Sequence, residues 1–454
     1  MKSAITIALL AISITINAQS PSYTWSKTAI GAKSEEGESC VADASGNVYV
    51  IGTYWSPTVT FGAFTLKNSD QYMSDIFILK YDSNGNVLWA KSAGGKSIDQ
   101  GHCIAIDGSG NVYVTGAYNA SISFGSIKLT NKGEADLFVA KYDTNGKVLW
   151  AKGAGGTRGD EGQGIAADAN GNVYVTGYFS ETAAFGTVKL TGAGSWDVFT
   201  AKYNTNGDVL WVQSAGGSAG DTGKNITTDR SGNVYVTGSY DSYSFAFGTI
   251  ELKHFGGDDI FTVKYDSNGI VLWAKGSGGD INDEGGCIAT DVNGNVYVSG
   301  YFRSSEITFG SFILKKNGGG DVFTVKYDSN GNVLWAKSMG GDSDDNAHGM
   351  AVDASGNVIV TGSYKSSTIE FGESSRSNKT GASNIFIMKY DSNGNEAWIK
   401  SASGTSVNYA SGCGLDGKGN IYVTGTFLNS TVTFGSTTLE DSGGSNFFVL
   451  KMGE

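Results

Sequence analysis

Proline, histidine and cysteine are almost missing from this chain, with 2, 3 and 4 residues respectively among 454. So few prolines exclude a proline-rich stalk, and the 67 glycines follow no three-residue collagen period. Four cysteines are too sparse to staple a fold of this length. The histidines, His102, His254 and His348, lie far apart, and no pair has the short spacing of a zinc site. Positive charge is scarce as well: 32 Lys and Arg oppose 44 Asp and Glu, a net charge of −12, with no basic run. That balance excludes a nucleic-acid binder, which needs a positive footprint for phosphates. Beyond the amino end no stretch of about 20 apolar residues appears, so no membrane span is expected. No H-E-x-x-H pattern occurs, and no catalytic residue, metal ligand or cofactor is expected.

The amino end has the form of an export signal. Met1-Lys2 supplies positive charge, Ala4 to Ile16 is uncharged and apolar, and Ile16-Asn17-Ala18 ends on a small residue before Gln19. Cleavage is expected after Ala18, so residues 1–18 read as a signal peptide and residues 19–454 as one domain, secreted or periplasmic.

The chain repeats itself along that whole domain. Trp25, Trp89, Trp150, Trp211, Trp273, Trp335 and Trp398 recur every 61 to 64 residues, mostly in runs such as VLWAK. A GN(V/I)(Y/I)V marker recurs with its glycine at Gly46, Gly110, Gly171, Gly232, Gly294, Gly356 and Gly419, at the same intervals. A Phe-Gly pair forms a third series, from Phe61 to Phe434. Period and copy number call for a closed or stacked array.

Residues 284–340 show what one unit contains. Cys287 to Asp291, Asn295 to Gly300, Asp321 to Asp328 and Asn332 to Lys337 read as four strands, rich in Val, Tyr, Phe and Trp. Asn-Gly steps accept positive φ and make tight hairpins between the first and second and between the third and fourth. Four antiparallel strands seven times over make an all-β seven-bladed propeller. The ends argue for closure rather than an open solenoid. Residues 23–27 align with a fourth strand that lacks the other three, and Asn446 to Lys451 is a third strand without its fourth. Pairing them completes the last blade from three C-terminal strands and one N-terminal strand.

The unit D-x-x-G-N-V-Y-V-T-G … F-G … G-x-D-x-F-x-x-K-Y-D-x-N-G-x-V-L-W-A-K resembles the bacterial SBBP beta-propeller repeat family, over residues 23–452. The signal ending before Gln19 is similar to those of Bacteroidetes. The resemblance implies an extracytoplasmic propeller and no particular reaction or catalytic set.

Glu35, Asp99, Asp160, Asp221, Asp283, Asp345 and Asn408 stand one position before each inner strand, as a ring at one channel mouth. A carboxylate required in every blade reads as a backbone cap for the inter-blade loop; a structural calcium ion is the less favoured reading. The histidines His102 and His348 read as lying near inner strands at slightly different repeat positions. Cys40 and Cys413 share an inner-strand position in blades that meet on closure, and all four cysteines read as buried thiols. Binding is expected on the face carrying the connections of about 18 to 22 residues between second and third strands. Trp55, Arg158, Trp196, His254, Arg303 and Arg376 depart there from the repeat and are the candidate ligand-binding residues. Aromatic stacking and guanidinium hydrogen bonds suit a carbohydrate or an extracellular or envelope protein loop, bound by a monomer. The alternatives are a structural envelope or matrix component, or a hydrolase or lyase with a composite site at the channel mouth.

Overall fold

The computed structural model describes residues 20–404, 406–428 and 431–453. The expected signal peptide at residues 1–18 lies outside them. Every regular element among the described residues is a β-strand.

Seven four-stranded antiparallel blades are arranged around an axis. In the third blade the strands run Glu161–Ala167, Val173–Phe179, Asp197–Tyr203 and Val209–Ala215, paired in that order. The innermost strands, beginning at Glu35, Asp99, Glu161, Asp221, Asp283, Asp345 and Asn408, contact one another in sequence, and the last contacts the first. The ring is closed.

Closure uses the amino-terminal strand. Ser22–Thr28 pairs antiparallel with Ser445–Gly453, which continues to Ile421–Leu428 and Asn408–Leu415. An inter-blade latch is built identically across this join. In a continuous blade, Trp89 Nε1 and Lys80 Nζ both donate to Thr144 O of the next blade, at 3.1 and 3.3 Å. At the join, Trp25 Nε1 and Lys451 Nζ donate to Ser83 O at 3.1 and 3.2 Å, although one comes from each end of the chain. Lys451 also lies 5.5 Å from the Tyr422 ring centre, where its charge meets the ring's negative face.

The connection between second and third strands is not an irregular loop. In the first blade Thr58–Phe61 and Phe64–Lys67 form a hairpin with Gly62 at φ 58°, a left-handed turn position suited to glycine. Phe61 is fully buried against Phe77 and Phe447, the latter from the preceding blade. Five of the seven such hairpins pair with the outgoing fourth strand of the blade before, as in Ala93 with Phe124, Gly155 with Ala184 and Ile30 with Thr60. The Phe-Gly landmark therefore marks a strap between blades.

Candidate functional site

The inner strands begin earlier than their sequence suggests. In the fifth blade the strand runs Asp283–Thr290, with a register shift between Gly285 and Cys287. The same shift occurs in all seven inner strands. A β-bulge adds one residue and re-aims its side chain. The extra residues are Glu38, His102, Gln163, Lys224, Gly286, His348 and Ser411, and all seven line one axial cavity of about 330 Å³. His102 and His348 thus occupy the same repeat position, not slightly different ones: each stands three residues after the leading acid of its strand.

Two residues further along, Cys40, Ile104, Ile165, Ile226, Ile288, Met350 and Cys413 line the adjoining cavity of about 310 Å³. The channel passes from a polar ring to an apolar one. No disulfide forms: Cys40, Cys103, Cys287 and Cys413 are all free thiols.

Two residues above the bulge ring, cross-strand pairing sets Glu161 opposite Tyr178 and Glu284 opposite Tyr301. Gln163 Nε2 donates to Glu161 Oε2 at 2.8 Å, and Lys224 Nζ lies 3.3 Å from Glu284 Oε2. Loss of water, and then the nearby Glu36 charge, push the Glu38 carboxyl up to about 7. Desolvation holds His348 down at about 4 and also lowers His102, against the opposing pull of Glu161. The His102 ring nitrogen Nδ1 stands 3.2 Å from Gly162 O.

The leading acids of the inner strands are buried within the inter-blade connections rather than open to the channel. Asp221 accepts from Gly217 N at 2.9 Å and Ser242 Oγ at 2.7 Å. Asp283 and Asp345 accept from Ser304 Oγ and Ser366 Oγ at 2.8 and 2.7 Å, and Asp160 accepts from Gly156 N at 2.7 Å. Glu35 accepts from Ser56 Oγ, and burial raises it to about 7. Asn408 donates to Ser406 O at 2.7 Å. Asp99 has no serine at the matching place, and burial with the nearby Asp75 raises it to about 8. Among the described residues no group of three or more His, Cys, Asp or Glu is placed to hold a metal ion.

The six candidate binding residues do not converge. Trp55 N donates to Ser34 O at 2.8 Å. Arg158 is exposed between Glu134 and Glu181, at 3.2 and 3.1 Å. His254 packs against Tyr243 with ring centres 4.4 Å apart and tilted by 37°, and faces Asp241 at 3.5 Å. Arg376 donates to the carbonyls of Ser375 and Ile399. Two of the six reach the channel mouth: Trp196 packs on Tyr178 with ring centres 5.3 Å apart, and the Arg303 guanidinium lies 5.6 Å from the Tyr301 ring centre.

The bulge ring was missed because an inserted residue breaks the alternation by which strands are recognised, and Asp-Glu-Gly-Gly composition reads as loop. The available signal was chemical variety at one repeat position directly after a position that is always glycine or alanine, from Gly37 to Ala410. Two short runs look catalytic without being so placed. Gly216-Gly217-Ser218-Ala219-Gly220 has G-x-S-x-G spacing but joins two strands, not a strand to a helix. Gly95-Lys96-Ser97 lacks the glycine of a phosphate loop, Ala90 standing five residues upstream of Gly95.

The SBBP family model, described as a beta-propeller repeat, matches residues 88–117, 149–178 and 210–246. A WD-repeat-containing protein of Acanthamoeba polyphaga mimivirus is 25% identical over 88% of this chain and 36% of its own length. The regulatory protein FlaEY of Caulobacter vibrioides is 26% identical over 69% of this chain and 35% of its own. The chain therefore spans about a third of the length of these curated relatives. Among solved structures, Sqt1 from Chaetomium thermophilum aligns over 96% of this chain and 99% of its own, with 8% identity and a TM-score of 0.45. The described residues form a closed β-propeller built from sequence repeats, distantly related to other propeller and repeat proteins.

Proposed function

We propose that this protein is an exported, non-enzymatic binding propeller that takes its ligand at the channel mouth on the face of the inter-blade connections. One observation carries the reading. The blades reuse the same turns, latches and straps, yet the seven bulge residues around one cavity differ in charge, size and hydrogen-bonding capacity. Scaffold demands explain repetition; they give no reason for such variety at positions that line the channel. Trp196 and Arg303 beside the mouth supply flanking contact of the kind found at recognition surfaces. The partial SBBP match and the signal-like residues 1–18 support an extracytoplasmic location in a bacterial envelope or beyond it.

The test is a panel of secreted-protein peptides and glycans against wild type, Ser411→Trp and Trp196→Ala, with and without EDTA. Binding that Ser411→Trp abolishes and EDTA leaves intact supports the reading. A ligand bound equally by wild type and Ser411→Trp would place recognition elsewhere, and turnover of any panel member would favour the composite-site enzyme.

A further inference from the structure

The channel mouth is unbalanced in charge. Glu36, Glu161 and Glu284 stand above the bulge ring and Glu38 within it, whereas Lys224 is the one Lys or Arg at these two levels. Lys224 is already engaged by Glu284 at 3.3 Å. His102 and His348 are held neutral by desolvation and supply no counter-charge at neutral pH. Glu38 has no hydrogen-bond or ion-pair partner among the described residues, yet its side chain borders the cavity. Three carboxylates, Glu36, Glu38 and Glu161, thus lack a cationic partner there.

Size limits what relieves this imbalance. A cavity of about 330 Å³ admits one side chain or a small molecule, not a protein surface. The step from the upper glutamates to Glu38 is two strand residues, ~7 Å, within reach of a long unbranched stem. Tyr301 and Tyr409 stand in the wall, and aromatic rings attract cations. A neutral sugar would leave the carboxylates uncompensated. Trp196 and Arg303 lie outside the cavity on its rim, where residues flanking an inserted side chain would meet them.

We propose that the mouth receives a lysine or arginine side chain from a loop of a partner protein, its cationic head seated against Glu38 below Glu36 and Glu161. This rests on the channel-mouth reading above and names its ligand class. The pair formed replaces a raised, partly protonated Glu38 by an ionised one, so binding near neutral pH releases a proton to the buffer.

The experiment is calorimetric titration of the full domain with Ac-Gly-Lys-Gly-NH₂ and its norleucine and glutamate counterparts, in two buffers of different ionisation enthalpy. Butylammonium and a neutral disaccharide are further arms, and wild type, Glu38→Gln and Ser411→Trp are compared. Expected are binding of the lysine peptide at least about tenfold tighter than the norleucine peptide, proton release, and loss of both in Glu38→Gln. Norleucine, glutamate or disaccharide binding as tight as lysine, while still blocked by Ser411→Trp, overturns the cationic assignment and leaves the channel reading standing. Lysine-peptide binding untouched by Ser411→Trp overturns both. Butylammonium binding as tightly as the peptide overturns the protein-loop source. Melting curves of both variants verify that the ring is intact.

Discussion

Replacing Asp136 by Asn should make the ring less sensitive to alkaline pH. Asp136 lies in the third strand of blade two, Ile127–Tyr142, just past its register break between Thr130 and Ala135, and is almost wholly buried, with Oδ2 accepting from Lys132 N at 3.1 Å. Its Oδ1 is buried without a partner. It faces Gly155, where a Cβ would stand 2.6 Å from Asp136 Oδ1 and 2.8 Å from Asp160 Oδ2 of the next blade. Two carboxylates thus share one dry space at a blade junction. Burial raises Asp136 to about 6, and burial with the added repulsion of Asp136 raises Asp160 to about 7. The folded value of Asp136 lies above the ordinary 3.8, so its contribution is fully present below 3.8 and is lost as pH rises through about 6. That gap is worth on the order of 3 kcal/mol as an upper bound. The fold already tolerates the amide: Asn446, at the same position in blade seven, accepts from Ser442 N at 3.1 Å through Oδ1. Urea unfolding followed by tryptophan fluorescence at pH 5 and pH 8 is the assay. Asp136→Asn should gain stability at both pH values, by about 1 kcal/mol more at pH 8 than at pH 5, flattening the decline across that window. A variant that loses more stability at pH 8 than at pH 5 would refute the shared-space reasoning.

The other predictions concern closure, packing and caps. Deleting residues 19–30 removes the strand that completes the last blade and one side of the Ser83 latch, so the thermal transition should drop by many degrees; an unchanged transition would sink the closed ring. Trp25→Ala, which strips the half-buried ring from Tyr81 and Tyr422, should cost about 2–4 kcal/mol by denaturant titration. Gly207→Ala sets a Cβ 2.9 Å from the Trp150 ring at φ 79°, and a loss of about 1–3 kcal/mol is expected in the same titration. Ser242→Ala leaves Asp221 without its 2.7 Å hydroxyl donor and should lower stability by about 1–2 kcal/mol at pH 8, less at pH 5 where Asp221, raised by burial to about 6, is largely protonated. Intact mass after alkylation of the denatured, unreduced protein should show four modified thiols.

Much of the architecture is written into single residues because the repeat states each rule several times. A tryptophan on every fourth strand, a Gly-Asn turn before every second and a split seventh unit are local patterns, and they suffice for a seven-bladed ring closed three plus one. Those features follow from turn chemistry and strand alternation, which act over a few residues. The straps were legible only as Phe-Gly pairs, since the hairpin's partner is a neighbouring blade's outgoing strand, some 30 residues away for Ala93 and Phe124. The site was less legible still. Glu38, His102, Gln163, Lys224, Gly286, His348 and Ser411 stand about 60 residues apart, and one inserted residue per strand hides them from any period-two reading. Ring closure brings seven such residues to one axis. Sequence determined what each blade is; only the tertiary structure decided which side chains the blades share, because a channel belongs to the ring and to no single repeat.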